Sequence, residues 1–508
     1  SIDLAVPPVI IPLPKQAQYT DDHLRVSREQ RLCLTAGVRD AVAQTARDVL
    51  ARFLADACGS VGTFKPGALS TRILLEAATE GLPAEGYELT VNQDAVVITA
   101  GDRRGFLHGV QTLKQLCVPG SDNALIIRGA KIRDWPSLAF RGVHIFTGGK
   151  GPDLHLQLVR DLLAPLKFNH LIFESEYVEW DCCPEIHHPE RGMSKDEVRP
   201  IITTSRELGI EVSPLVMSLG HCQWMFHNDQ HLDLAEDPDA KWAYCVTNPA
   251  TYEFIFQVYQ EAIDLFQPQL FHIGHDEYSN HGRVPHRESS KPYTRDDLFV
   301  MDTQRLHAWF KERGLRVMMW GDMLLGPGEA PDACNAKSAA SAEELRNALP
   351  KDILVADWHY AEAPPERYSS LDVLHASGFD TVAATWYRPG NIVNFAKAAY
   401  AKRSRGLLQT TWAGYSLDPA SFARGMQQYA IYVLAAEAAW NAHDPPDPAT
   451  ILHGEHFLRL MGRHALPPAE RSGWLADLGM LYNEHLAARD GEGWFGLGSE
   501  HDLSAVPR

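Results

Sequence analysis

Eight short apolar runs, most of them followed by a helical pattern, limit what this chain can fold into more than any other feature. They read RGVHIF (141–146), HLIFES (170–175), EVSPLV (211–216), LFHIGHDE (270–277), RVMMWGD (316–322), ILVADWHY (353–360), TVAATWY (381–387) and GLLQTTWA (406–413). Between them lie stretches with apolar residues at helical spacing, such as LQLVRDLLAPLKF, YEFIFQVYQEAIDLF and DTQRLHAWFKERG. Eight strands alternating with helices over roughly 300 residues are what a (β/α)8 barrel requires. An open doubly wound sheet also alternates, but no Gly-rich phosphate turn follows a first strand here. The expected fold class is therefore α/β, a (β/α)8 barrel.

The segments around the barrel read differently. Residues 1 to about 130 form an expected α+β domain: DAVAQTARDVLARFLADA has helical spacing, and GYELTVNQDAVVITAG gives two strands around a polar turn at Asn92-Gln93-Asp94. The helix after them places Phe106, Val110, Leu113 and Leu116 on one face. The barrel is expected over about 131–445. Pro445, Pro446 and Pro448 then set off a helical extension over 446–508, with patterns in ATILHGEHFLRLMG and SGWLADLGMLYNEHLAARDG.

A chain of 508 residues with net charge -18 is ill suited to nucleic acid or to an anionic membrane surface. No run of about 18 apolar residues occurs that would span a bilayer. None of the eight cysteines forms a CxxC pair, and mostly free thiols are expected. The first residue, Ser1, leaves open a trimmed leader, so the compartment stays open between cytoplasmic and periplasmic or secreted.

Polar and aromatic residues gather at the C-terminal ends of the eight runs: Glu174 and Glu176, His221, Asp276 and Glu277, Trp320 and Asp322, Asp357, Trp358 and Tyr360, Trp386 and Tyr387, and Trp412. That end is where barrel enzymes place their chemistry. Asp276 and Glu277 are adjacent acids closing an apolar strand. Their mutual repulsion and a dry wall would let one orient and stabilise while the other transfers a proton. Aromatic walls suit the apolar faces of sugar rings, and two carboxylates among them are equipment for glycoside cleavage.

The stretch His272-Ile273-Gly274-His275-Asp276-Glu277 resembles the H-x-G-G-D-E motif of glycoside hydrolase family 20, the β-N-acetylhexosaminidases, with His275 in place of the second Gly. IRDWPSLAFRGVHIF, LKFNHLIFESE, GIEVSPLVMSLGH, TNPATYEF and VMMWGD resemble that family's barrel in order. GYELTV and GFLHGVQTLKQL resemble the small domain before it. SPLVMSLGH and HIGHDEY look closest to the hexosaminidase D branch. The chain departs from the family at Phe146, where an Asp is usual, and at Gly414, where Trp412-Ala413-Gly414 replaces W-x-E.

The resemblance implies a retaining mechanism without a cofactor or metal, in which the substrate's own 2-acetamido oxygen attacks the anomeric carbon. Asp276 would hold the acetamido N–H and Glu277 would act as acid and base. Trp320, Trp358 and Trp386 would clamp the acetamido group, and Tyr360 or Tyr387 would bond its oxygen. Arg141, Glu176, His221 and Trp412 would line the sugar site. The implied partner is a carbohydrate with a terminal N-acetylhexosamine. Two other classes stay open: a metal-dependent barrel hydrolase built on His144, His221, His272, Asp276 and Glu277, and a glycan-binding protein without activity. His144 stands alone in RGVHIF, without the H-x-H that barrel amidohydrolases carry on their first strand, and keeping both acids speaks against the binder.

Overall fold

The computed structural model describes residues 7–26, 32–36, 41–58, 71–78, 80–121, 124–149, 152–451 and 453–462. The N-terminal part is a mixed sheet of β1 (Gln16–Val26), β2 (Leu32–Ala36), β3 (Thr71–Ala77), β4 (Tyr87–Val91), β5 (Ala95–Ala100), β6 (Cys117–Pro119) and β7 (Leu125–Asp134), ordered β1-β7-β4-β5-β3-β2 with β6 on β7. The expected hairpin is β4 and β5, paired antiparallel with Leu89 opposite Ile98. Its turn is closed by Asn92 Oδ1, which accepts from the N–H groups of Asp94 and Ala95, both at 2.9 Å. Helix Arg103–Leu116 is capped by Asp102, whose Oδ1 accepts from Gly105 N at 2.8 Å, and it buries Phe106, Val110, Leu113 and Leu116 against the sheet.

The barrel follows. Strands β8 (Phe140–Phe146), β9 (His170–Glu174), β10 (Glu211–Ser218), β11 (Leu270–Gly274), β12 (Arg316–Trp320), β13 (Leu354–Trp358), β14 (Asp380–Thr385) and β15 (Gly406–Gln409) pair in parallel and in sequence order, and β15 closes on β8. All eight apolar runs are barrel strands. Helices cover the outside, several begun by Ser or Thr capping boxes, as at Ser194, Thr294 and Ser338. After the barrel, helices Pro419–Ala430, Tyr432–Trp440 and His453–Gly462 pack on it. The first C-terminal pattern read from sequence falls on the last of these; the second, SGWLADLGMLYNEHLAARDG, lies outside the described residues. Among the described residues no helix is long and apolar enough to cross a membrane. Cys182, Cys183, Cys222, Cys245 and Cys334 are free thiols.

Five of the eight ladders, β11 to β15, stop two or more residues short of the sequence reading. β11 ends at Gly274, not at Glu277, because Gly274 (φ +72°), His275 (+75°) and Glu277 (+49°) leave the extended region. A Cβ on Gly274 would lie 2.4 Å from Met217 Sδ, so a side chain there would displace Met217 as well as strain the left-handed backbone. This curl lifts Asp276 and Glu277 out of the sheet and turns them into the barrel mouth.

Candidate active site

His221, in the loop after β10, sits between the two acids. Its Nε2 is 3.2 Å from Asp276 Oδ2 and 3.1 Å from Glu277 Oε2. Burial opposes a charge on this ring, but Asp276 and Glu277 outweigh it and hold the imidazolium up to about 10. Trp242 packs 4.2 Å from the His221 ring, and its Nε1 donates to the carbonyls of Glu277 and Tyr278. Asp276 Oδ1 is buried and accepts no hydrogen bond from any described residue. Glu277 is half-buried, and its backbone N–H donates to Asp322 Oδ2 at 3.0 Å.

Asp322 ties the acids to the aromatic wall. It also accepts from Asn335 Nδ2 (2.7 Å) and from Trp358 Nε1 (3.0 Å). Burial, then the nearby Asp276 charge, pushes its carboxyl up to about 7.

The wall is continuous. Trp320, at the end of β12, lies under His272 at 4.4 Å and 6.1 Å from both His144 and Trp412. Trp412 Nε1 donates to Tyr360 Oη at 3.0 Å, and the Tyr360 ring lies 5.0 Å from Trp358 and 5.4 Å from Trp386. Trp386 is fixed by Nε1 donating to Gln428 and meets Tyr387 edge-on at 4.5 Å. Tyr360 Oη accepts from Trp412 and lies 3.4 Å from Thr410 Oγ1, whose own proton goes to the Thr385 carbonyl at 2.8 Å. His359 beside it holds the segment, with Nε2 at 2.9 Å from Asp357 and Nδ1 at 2.9 Å from Asp332, which also accepts from the N–H groups of Tyr360 and Ala361.

Across the mouth, Glu174 and Glu176 form a second pair of acids. His144 Nε2 is 2.5 Å from Glu174 Oε2, Met217 N donates to Glu176 Oε1 at 2.9 Å, and Tyr415 Oη reaches both carboxyls. Burial, with the Asp276 charge, raises Glu174 to about 8, and burial with the Glu174 charge raises Glu176 well above the usual range. Burial also lowers His144 to about 3, so that ring is neutral. Phe146, where the family carries Asp, packs against Trp412 and Tyr415.

The structure thus brings Asp276, Glu277, Glu176, His221, Trp320, Trp358, Tyr360, Trp386, Tyr387 and Trp412 to one mouth. It does not bring Arg141. That residue starts β8 at the opposite end, is 1% exposed, and is saturated: Nε donates to Lys167 O (3.0 Å), Nη1 to Leu138 O (2.9 Å), and both Nη groups to Glu85 (3.0 and 3.1 Å). Its expected substrate contact is corrected to a tie between barrel foot and N-terminal sheet. Asp357 is likewise buried, on His359 and Ser370. From the sequence Asp322 is a strand-end residue without a role, and Trp242, Asn335 and Tyr415 carry no signal that marks them. The last three lie on irregular loops, where no periodicity marks them.

Fold and site together define a (β/α)8 barrel of the carboxylate-pair glycosidase class. The chain belongs to glycosyl hydrolase family 20: residues 161–442 match that family's catalytic domain and residues 7–135 its domain 2. It is 25% identical over 338 residues to a beta-hexosaminidase of Emericella nidulans (59% of this chain, 52% of the relative). It is 26% identical over 371 residues to one of Porphyromonas gingivalis (64% and 46%). The chain spans about half the length of these curated relatives. Among solved structures it is similar to the exo β-N-acetylglucosaminidase of Vibrio harveyi in complex with N-acetylglucosamine, with TM-score 0.70, 18% identity and coverage of 90% and 78%. It is also similar to the β-N-acetylhexosaminidase of Bacteroides fragilis, with TM-score 0.68, 17% identity and coverage of 92% and 98%. At such identities the likeness is one of fold.

Proposed function

We propose that the protein is a retaining exo-β-N-acetylhexosaminidase that releases terminal β-linked GlcNAc or GalNAc, with the substrate's 2-acetamido oxygen as the nucleophile. Asp276 carries this reading. One oxygen is held by His221, while Oδ1 is buried and accepts nothing from the described residues, as a place reserved for an amide N–H would be. The acetamido carbonyl oxygen bonds to the anomeric carbon as the glycosidic bond breaks. Its electron pair leaves with the aglycone oxygen, which takes a proton from Glu277. Asp276 holds the N–H and balances the oxazolinium charge. Glu277 then takes a proton from water as that water bonds to the anomeric carbon, and the ring re-forms the acetamide with configuration retained.

An internal nucleophile gains from enforced orientation, and the wall supplies it. Trp320, Trp358 and Trp386 pack around the acetamido group, and Tyr360, which meets Trp358 and Trp386, or Tyr387 beside Trp386 bonds its oxygen. Glu176 and Trp412 face the ring hydroxyls. The beta-hexosaminidase names of the relatives agree with this activity.

One observation favours a second reading. Ligand atoms of His221, Asp276 and Glu277 lie within 4.8 Å of one another, and such a donor set can hold a divalent ion. An aryl β-N-acetylhexosaminide assay separates the two. Hydrolysis that resists EDTA and is blocked by a thiazoline mimic of the cyclic ion is expected. Loss of activity on chelation would mark the metal site, and no hydrolysis at all would leave a glycan binder.

A further inference from the structure

We propose that Gln428 is a positioning residue that sets the width of the N-acyl pocket, so that N-acetyl hexosaminides are taken and those with longer N-acyl chains are turned away. The proposal rests on the assignment of the tryptophan wall to the acetamido group.

Gln428 stands on helix Pro419–Ala430, outside the eight strands, and its side chain reaches back to the wall. Its Oε1 accepts from Trp386 Nε1 and from Trp412 N, both at 2.8 Å. Both partners are N–H donors, so the amide must turn its oxygen, not its nitrogen, towards them. One atom therefore joins the aromatic residues that follow β14 and β15. The contacts continue around the mouth: Trp412 Nε1 donates to Tyr360 Oη at 3.0 Å, and the Tyr360 ring lies 5.4 Å from that of Trp386. Gln428, Trp412, Tyr360 and Trp386 thus close a ring in which each side chain meets the next.

The backbone beneath this ring has other supports. Asn391 Oδ1 accepts from Trp386 N at 3.1 Å, and Asn391 Nδ2 donates to the His359 carbonyl at 2.7 Å. Asp332 Oδ2 accepts from Tyr360 N at 2.9 Å. What Gln428 itself holds is the edge of the half-buried Trp386 indole. The other two members of the clamp do not depend on it. Trp320 is buried against His272, and Trp358 Nε1 donates to Asp322 at 3.0 Å. Trp386 is therefore the side of the pocket that can move without disturbing the two acids. Without Oε1 its N–H turns to water and the indole is free to swing. The acetamido oxygen is then aimed less firmly at the anomeric carbon, and a longer acyl chain gains room.

The test measures kcat and KM for aryl β-glucosaminides carrying N-acetyl, N-propanoyl and N-butanoyl groups, together with the melting temperature. The variants are Gln428→Met, which removes the acceptor at similar volume, and Gln428→Glu, which keeps an oxygen. Gln428→Asn, one methylene too short to reach both donors, carries the test if Gln428→Met does not fold. The ratio of kcat/KM for N-acetyl over N-butanoyl cancels the amount of folded enzyme, so a less stable variant still reports on the pocket. Wild type is expected to prefer N-acetyl, and this ratio to fall about ten-fold in Gln428→Met, with kcat on the N-acetyl substrate about five-fold lower. Gln428→Glu is expected to keep the ratio within about three-fold. A ratio unchanged in Gln428→Met and Gln428→Asn, whatever the melting temperature, would overturn the proposal, as would wild type that hydrolyses N-butanoyl as fast as N-acetyl. Wild-type protein inactive on every N-acetylhexosaminide would instead overturn the assignment of the wall, and the proposal with it.

Discussion

The two ends of the barrel carry the same kinds of charged residue in opposite balance. At the foot, Arg141, Lys167 and Lys15 meet Glu85, Asp134 and Glu437 among the rings of Tyr87 and Trp440. Burial opposes the charge on Glu85, but Arg141 outweighs it and holds that carboxyl far below the usual range. Acid and base are matched there, and nearly every donor is used. At the mouth, Asp276, Glu277, Asp322, Glu174 and Glu176 gather around one imidazolium, His221. Three of these carboxyls are pushed up, and one buried oxygen has no donor among the described residues. Matched charges fasten a domain to a barrel, whereas mismatched ones are held at a cost in stability and are available to a ligand. The fold places the mismatched set where barrel enzymes work.

Substitutions at the two ends should therefore fail in different ways. Glu277→Gln is the largest effect expected on catalysis: kcat with an aryl β-N-acetylglucosaminide falls by about 10²–10⁴. Its melting temperature stays level or rises, because a crowded acid is gone. Arg141→Met gives the reverse. It takes from buried Glu85 its two-pronged guanidinium partner and leaves only Asn169, His108 and the more distant Arg104, so denaturant unfolding should show a loss of about 3 kcal/mol, while KM of the folded fraction stays at the wild-type value. A raised KM in Arg141→Met without loss of stability would return this residue to the sugar site.

The strands were legible because each is a short apolar run with a helix pattern behind it. Their upper ends were not, since nothing in HIGHDE marks where the ladder stops and left-handed backbone begins. β1 escaped notice because it is an edge strand, its face toward solvent carrying Gln16, Gln18, Asp21 and Asp22 without alternation. Arg141 was misplaced for a reason present in the sequence: it opens its run, and the opening end of a barrel strand is the structural end. Asp276, Glu277 and the tryptophans were legible by type and place. Asp322 shows its role only through Asn335, Trp358 and the Glu277 backbone, three partners from separate segments.

Tyr415 sharpens the comparison within the mouth. It follows Gly414, where the family's last-strand Glu is missing, and its hydroxyl serves both Glu174 and Glu176. Tyr415→Phe should lower kcat/KM by about ten-fold, the worth of one hydrogen bond to a charged group, with little change in melting temperature. Unchanged kcat/KM would place the Glu174–Glu176 pair outside the sugar's reach.

The smallest effect is on pH-dependent stability. A raised folded pKa gives stability that is present below the unfolded value and lost as pH rises through the folded one. His221 therefore contributes below about 6.5 and loses this towards about 10, and Glu174 contributes below about 4.5 and loses it by about 8. Glu85, held low, has the opposite sign: its contribution is present above about 4.5 and is lost only in strong acid. The melting temperature should thus fall by a few degrees between neutral pH and pH 10, and Glu174→Gln should flatten the part of that fall below pH 8.

The most direct test of the central claim is the anomeric configuration of the first sugar released, followed by proton NMR before mutarotation on a β-N-acetylglucosaminide with purified protein. An acetamido oxygen that attacks first and water that attacks second predict the β-anomer as the initial product. Initial release of the α-anomer would contradict the account.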